Sequence, residues 1–334
     1  MKNFISSLYF LSLFSLSAFA NSEPKICMVL DKAGKDDLSF NQEAYHGFQK
    51  AVKNLPVSKD SKVIEAKDEN HLNQTIRSFV NEKCKIIFAV GINNAEIIKQ
   101  ISPQFPNQKF AVIDANINKK NVRSIVFKNE QGAFLMGSIA AIKSTTGKIG
   151  FIGGMNIPLV QACEKAYIAG AKYVNPKINV LVGYVGITVD AWNNPTKAQE
   201  IALNQYDQNA DIIFHGAGGS GLGVFNAAEK ASKTSAKKYA IGCDSNQNWI
   251  KPGLILTSMT KEIEKSVIDT VQNIIDNKFT TGLFTYDVSN GGINWAFDKF
   301  NKELFTELQI KKINQIKNDI ALNKIQTLSE EAKN

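Results

Sequence analysis

The stretch KIIFAVGINNAEIIKQISPQFPNQKFAVIDA, residues 85–115, decides the fold. Residues 85–91 are an apolar run closed by a glycine, with no alternation of polar and apolar positions. Such a run predicts a strand buried on both faces. Residues 95–101 then read as a helix. Residues 109–115 repeat the buried run and bring it to a carboxylate, Asp114. Near-continuous apolar strands separated by a helix are the mark of a parallel sheet covered on both sides.

The same rhythm runs outward in both directions. Upstream lie a strand at 26–31, a helix at 41–52, a strand at 62–68 and a helix at 72–81. Downstream a strand at 122–128 ends the first series. The second series starts with a Gly- and Ala-rich helix at 131–143. It continues with strands at 148–153, 179–185, 211–215, 239–244 and 254–259. Helices at 160–173, 196–205 and 223–233 lie between them. A long helix at 261–278, a hairpin-like stretch at 284–295 and a polar C-terminal helix complete the chain. The expected fold class is α/β, with two doubly wound parallel-sheet lobes. The N-terminal lobe takes residues 21–128 plus about 258–285. The C-terminal lobe takes 129–257 plus about 286–334. No Pro/Ser-rich linker divides them, so the hinge falls near 128–131 and the return crossing near Ser258. Ligands of open parallel sheets sit outside the carboxyl ends of the strands. Two such sheets facing each other enclose a cleft.

Composition narrows the class. The chain has 334 residues, Lys+Arg 39 against Asp+Glu 31, a net charge of +8, and 44% hydrophobic residues. That excludes a disordered chain, a collagen-like fibre and a polytopic membrane protein. The lysines are scattered, with no dense basic block interleaved with aromatics, so no nucleic-acid partner is expected. Residues 1–20 read as a signal peptide: Lys2, an apolar stretch over 4–14, and Ala18-Phe19-Ala20 as the cleavage site. No cysteine follows Ala20 directly, the nearest being Cys27, so a lipid anchor is not expected. The expectation is a soluble exported protein in the periplasm. The cysteines, Cys27, Cys84, Cys163 and Cys243, form no CxxC pair and no zinc spacing. His46, His71 and His215 form no metal pattern, and no metal or cofactor is expected.

The chemistry-bearing residues stand at strand ends. Asp31 closes the first strand. Beyond it, Asp37 or Ser39 can cap the helix. Phe40 places an aromatic at the helix entry, and Asn41 offers both a donor and an acceptor. These two also fit a plain staple and cap. Asp114 is an acceptor for a ligand N–H. Gly216, Gly218 and Gly221 satisfy G-x-G-x-x-G between a strand and a helix, and Asp244 ends the next strand. That mimics a dinucleotide fingerprint. The motif lies deep in the second unit, however, whereas a dinucleotide fold opens with it. Lys261, placed at a helix start, is electrostatically unfavourable there and points to a partner. Trp192 and Phe214 are alternative stacking platforms. Gly218-Gly219-Ser220-Gly221-Leu222 breaks the G-x-S-x-G pattern at its last position, and no nucleophile–base set is signalled.

Taken together, these segments resemble the basic membrane protein family, solute-binding proteins of ABC transporters that include purine nucleoside receptors. The resemblance rests on Asp37-Leu38-Ser39-Phe40-Asn41-Gln42, Phe110-Ala111-Val112-Ile113-Asp114, His215-Gly216-Ala217-Gly218-Gly219-Ser220-Gly221, Ile241-Gly242-Cys243-Asp244 and Thr257-Ser258-Met259-Thr260-Lys261. It covers nearly the whole chain after residue 20. It implies a type I periplasmic-binding-protein fold, two lobes closing on a ligand. It also implies an aromatic sandwich around a base, with Phe40 as one slice. Asn41 and Asp114 would meet the base edge. The glycine turn at Gly216, Gly218 and Gly219, with Asp244 and Lys261, would hold the ribose. The family often carries two glycines after the first-strand aspartate, and this chain reads Asp31-Lys32-Ala33-Gly34 there.

The leading functional class is thus a non-catalytic, monomeric receptor. It would bind a nucleoside, a purine above all, and pass it to a membrane ABC permease. An exported nucleoside hydrolase or NAD-dependent enzyme is the first alternative, and a ligand-sensing partner of a membrane kinase the second. Cys27 and Cys84 sit at the amino ends of the first and third strands, which are neighbours in the usual doubly wound order. They are the candidate disulfide, and Cys163 and Cys243 read as buried thiols.

Overall fold

The computed structural model describes residues 23–234 and 236–328. The signal peptide expected at residues 1–20 lies outside them. The chain opens with β1 (Ile26–Leu30), α1 (Phe40–Asn54), β2 (Lys62–Glu65), α2 (Glu69–Asn81), β3 (Ile86–Val90), α3 (Ile92–Ile101), β4 (Lys109–Ile113) and β5 (Val122–Phe127). It continues through α4 (Asn129–Lys143), β6 (Lys148–Met155), α5 (Pro158–Val174), β7 (Asn179–Gly186), α6 (Pro195–Asp207), β8 (Ile212–Gly216), α7 (Gly221–Ser232), β9 (Tyr239–Asp244) and β10 (Ile255–Lys261). Then come α8 (Ile263–Ile275), β11 (Gly282–Tyr286), β12 (Ile293–Trp295) and α9 (Glu307–Ala321).

The strands form two six-stranded sheets, ordered β11-β5-β4-β3-β1-β2 and β12-β10-β9-β8-β6-β7. Every pairing is parallel except β10 with β12. The buried runs behave as their composition requires: all five residues of β1 and of β3 are buried. Helices shield both faces of the sheets. The Gly/Ala content of α4 has a packing cause. A Cβ at Gly137 would lie 2.0 Å from the Tyr167 carbonyl oxygen, and one at Gly170 would lie 1.9 Å from that of Phe134. So α4 and α5 touch backbone to backbone where neither carries a side chain.

The chain crosses between the sheets three times: after β5, after β10, and between β11 and β12. The second crossing corrects two expectations. It falls at Glu262, past all of β10, and not near Ser258. Lys261 ends a strand, while the helix begins at Ile263. The lysine stands just before the Glu262 N-cap of α8, and two carboxylates, Asp114 and Asp244, pair with its charge. The stretch at 284–295 is likewise no hairpin. Its turn chemistry is real: Asn290 Oδ1 accepts from the Asp287 and Gly292 amides at 2.9 and 3.0 Å. But β11 pairs with β5 and β12 with β10, so the turn serves as a crossing.

The returning segment is pinned by Arg123 of β5. Its buried guanidinium lies 4.5 Å from the ring centre of Phe279 and 4.1 Å from that of Phe284. It donates to the Thr280 carbonyl at 2.9 Å and to Asn273 Oδ1 at 3.1 Å. Cys27 and Cys84 are joined by a disulfide, with Cα atoms 5.9 Å apart. Cys163 and Cys243 are free thiols.

Candidate functional site

The carboxyl ends of the two sheets border one cleft, with about 740 Å³ of free space, its open mouth included. The first sheet contributes Asp31 after β1, Gly91 after β3 and Asp114 after β4, with Phe40 and Asn41 from the start of α1. The second contributes Gly216 of β8, Gly218, Asp244 of β9 and Trp192. Asn129 and Lys261, each beside a crossing, complete the wall. Among the described residues no group of three or more His, Cys, Asp or Glu comes together to hold a metal ion.

The helix-entry segment divides its work. The N-cap position of α1 is Ser39, but its side chain makes no cap. Asp37 caps instead, accepting from the amides of Ser39, Asn41 and Gln42 at 2.9 to 3.0 Å. Asn41 is fully engaged within its own loop. Its Nδ2 donates to Asp31 Oδ1 at 2.9 Å and Asp37 Oδ2 at 3.0 Å, and its Oδ1 accepts from the Asp31 amide at 3.1 Å. It positions the two carboxylates. Burial pushes the Asp31 carboxyl up to about 6, against the hydrogen bonds from the Ala33 amide and Asn41. Burial also raises Asp37 above the usual carboxylate range.

Ser39 reaches across the cleft and donates to Asp244 Oδ2 at 2.7 Å. Nearby, Ser245 Oγ and Gln247 Nε2 both donate to the Leu38 carbonyl at 2.9 Å. At an exposed point Lys32 Nζ meets Asp190 at 2.6 Å.

Lys261 stands at the centre. Its ammonium is 2.8 Å from Asp114 Oδ2 and 2.9 Å from Asp244 Oδ1. Burial works against its charge, but the two carboxylates outweigh it and hold the lysine above its ordinary range. Asp244 in turn is held below the carboxylate range, because Lys261 and the Ser39 hydroxyl outweigh desolvation. The same ammonium lies 4.8 Å from the centre of the Phe40 ring. Both aspartates have left-handed backbones, φ 67° at Asp114 and 70° at Asp244, a conformation aspartate tolerates better than most residues.

Of the two stacking platforms, Trp192 lines the cleft and Phe214 does not. Phe214 is fully buried, packed on Phe151 and Tyr167 with ring centres 5.8 and 5.4 Å away. The physical reason is depth along the strand: Phe214 is the middle residue of β8, two residues short of the strand end at Gly216 that borders the cleft. Trp192 rests on the glycine-rich turn. A Cβ at Gly218 of that turn would lie 3.7 Å from its ring, and one at Gly154 of β6 would lie 2.5 Å from it. Gly219 is buried behind the cleft wall, where a Cβ would lie 3.3 Å from the Trp192 carbonyl oxygen and 3.5 Å from Asp37 Cβ. Gly221, the last glycine of the motif, makes room for the His215 ring, which would be 2.1 Å from a Cβ there. His215 is buried, its Nε2 faces Gln247 Oε1 at 3.1 Å, and burial pulls it down to about 4.

Asn129, Gly91, Cys163 and Cys243 are among the wall residues that the sequence did not point to as part of a site. Asn129 follows a strand with no motif around it. Gly91 adopts φ 90° and keeps open the space beside Asp31 and Phe40. Cys163 and Cys243 were legible as thiols, yet both line the cleft. Burial pushes Cys163 up to about 12 and Cys243 well above the thiol range, so both stay protonated.

With the fold and cleft in place, similarity to known proteins is informative. The model of the Bmp family, ABC transporter substrate-binding protein PnrA-like, matches residues 25–326. The ABC transporter nucleoside-binding protein BmpA of Lactococcus lactis is 32% identical over 304 residues, 86% of either chain. Basic membrane protein A1 of Borrelia garinii is 31% identical over 317 residues, 93% of this chain and 90% of its own. A solute-binding protein of an ABC transporter system from Aeropyrum pernix superposes with a TM-score of 0.82 at 22% identity, covering 91% of this chain and 93% of its own. The two-lobed α/β architecture is thus a periplasmic-binding-protein fold. Among the described residues no helix is long and apolar enough to cross a membrane. By sequence over nearly its whole described length, and by fold, the chain belongs to the Bmp family of PnrA-like ABC transporter substrate-binding proteins.

Proposed function

We propose that the protein is a periplasmic, monomeric receptor that holds a purine nucleoside between its lobes and delivers it to a membrane ABC permease. The observation that carries this reading is the triad Asp114–Lys261–Asp244 beside the face of Phe40. Phe40 from the first lobe and Trp192 from the second supply aromatic surface for a planar base. Stacking on such a surface is worth about 1–3 kcal/mol per base. Asp31 and Asp114 accept from N–H groups of the base. Asp244 and Lys261, beside the glycine turn, accept from and donate to sugar hydroxyls.

The charge balance favours a neutral ligand. Asp31, Asp37, Asp114 and Asp244 line the cleft with Lys261 as the cation among them. A phosphate would be repelled there and would lose its hydration. Name-level support comes from the Lactococcus lactis relative, a nucleoside-binding protein.

The test is a thermal-shift and calorimetric screen against nucleosides, free bases, nucleotides, ribose and NAD, after unfolding and refolding to strip carried-over ligand. A ligand at a hundredfold excess over its Kd stabilises by about 2.7 kcal/mol. Shifts with purine nucleosides and none with their 5′-phosphates, ribose or NAD are expected. A shift with NAD or a sugar alone would refute the reading. Product formation from a nucleoside would make the protein an enzyme.

A further inference from the structure

Asn129 opens α4 at the first crossing between the lobes, is only 4% exposed, and lines the cleft. Its Nδ2 donates to Asp114 Oδ1 at 3.3 Å. The carboxylate fixes that orientation, since the reversed amide would set two acceptors face to face. The carbonyl oxygen, Oδ1, is then buried without a partner. Among the described residues the other buried side-chain atoms in that condition belong to Ser102, Tyr167, Gln205 and His215, none of which lines the cleft. Asn129 is the one whose missing partner a ligand can supply. A buried carbonyl left unpaired is costly, so the site favours whatever fills that need.

The neighbouring atoms say what that partner is. Asp114 Oδ2 is engaged by Lys261 and Oδ1 by Asn129, leaving lone pairs on both oxygens. One Asn129 N–H and two of the three Lys261 N–H groups are taken up by carboxylates, and the unfilled positions on Asn129 Oδ1 and Asp114 are acceptors. An amino group or a ring N–H, which only donates, matches them.

We propose that Asn129 is a specificity-determining contact: its Oδ1, alongside Asp114, takes an N–H donor from the edge of the bound base. The proposal rests on the nucleoside reading above and adds that the base edge must carry donors.

The test compares guanosine, adenosine and inosine, which carry N–H donors, with unsubstituted purine riboside, which carries none on its base. Calorimetry on the wild-type chain should show the best donor-bearing nucleoside binding at least about tenfold tighter than purine riboside. Asn129→Leu keeps the side-chain shape and should collapse that ratio, leaving purine riboside within about twofold. Asn129→Ser serves the same comparison should the leucine variant fail to fold. Equal losses for all four ligands, or no loss, would overturn the assignment, because a merely structural role cannot tell the ligands apart. A loss seen only between ribonucleosides and their 2′-deoxy forms would also overturn it, placing the sugar at Asn129. A wild-type chain that binds no nucleoside overturns the nucleoside reading itself, before any variant is made.

Discussion

Asp114 and Asp244 are counterparts. Each stands at the carboxyl end of the third strand in its sheet, β4 or β9, and each has a left-handed backbone. Each also gives one carboxylate oxygen to the ammonium of Lys261. One cation thus joins equivalent points of two similar lobes. Held conformations of this kind gather at ligand sites, where the surrounding structure sustains them.

Removing that cation should be costly. Lys261→Met leaves two buried carboxylates without their partner, and breaking a buried pair in this way costs about 3–5 kcal/mol. Urea unfolding should show the loss. Adding Asp244→Asn to the methionine variant should restore part of it, because one of the unpaired charges is gone. Strictly additive losses in the double variant would contradict the coupling.

The aromatic assignments separate cleanly. Trp192→Ala should weaken nucleoside binding by about 1–3 kcal/mol with a small change in stability. Phe214→Ala empties a packed aromatic cluster and should cost about 3–5 kcal/mol of stability. The folded fraction of that variant should keep its ligand affinity. Titration calorimetry and urea unfolding on both variants check this, and the reverse pattern would return Phe214 to the cleft.

Asp31 and His215 give opposing pH dependences. The Asp31 carboxyl sits at about 6 in the folded protein, above the ordinary value of about 3.9. The native state therefore holds this proton more tightly than the unfolded chain does. Its contribution is full below about pH 4 and is lost as pH rises through 6. His215 sits at about 4, below the ordinary value of about 6.5. Its contribution is full above about pH 6.5 and is lost as pH falls through 4. Each is worth about 3 kcal/mol. Between pH 4 and 6 these two contributions oppose each other. In Asp31→Asn, stability should climb with pH across that window. In His215→Gln it should fall. Urea unfolding at half-unit pH steps tells them apart, and parallel profiles would refute the pair.

The disulfide closes a loop of 57 residues around β1, α1, β2 and α2. The chain-entropy account assigns such a loop about 4 kcal/mol. Replacing both Cys27 and Cys84 with Ala should lower stability by an amount of that order. Intact-mass labelling of the native protein should find two reactive thiols on denaturation, Cys163 and Cys243, and four after reduction.

The fold was largely legible because parallel strands buried on both faces spell themselves out as apolar runs. Strand ends then pointed to Asp31, Phe40, Asp114, Trp192, Asp244 and Lys261, all on the cleft wall. What local sequence could not give was direction and destination. Phe214 and Trp192 look alike as strand-end aromatics, and only the true end of β8, two residues past Phe214, decides between them. The DVSNGG turn at 287–292 has hairpin chemistry, and only the neighbouring sheets decide that its arms part. Asn41 carries both a donor and an acceptor, and only the geometry of Asp31 and Asp37 shows them engaged. Asn129 has no motif at all. Its meaning comes from Asp114, which is fifteen residues away along the chain.

The three crossings also set an order of assembly. The first lobe begins at β1, yet β11 and α8, which complete it, are made only after β6–β10 of the second. Until α8 arrives, α1 lacks the helix that meets it at Gly47, where a Cβ would lie 2.7 Å from the Glu264 carbonyl oxygen. Until β11 arrives, β5 is an unpaired edge and Arg123 has no aromatic cage. A chain emerging from its amino end therefore cannot finish its first half early. Both halves mature together near the end of synthesis, and a chain cut after β10 is an unfinished pair of lobes rather than one whole lobe and a fragment.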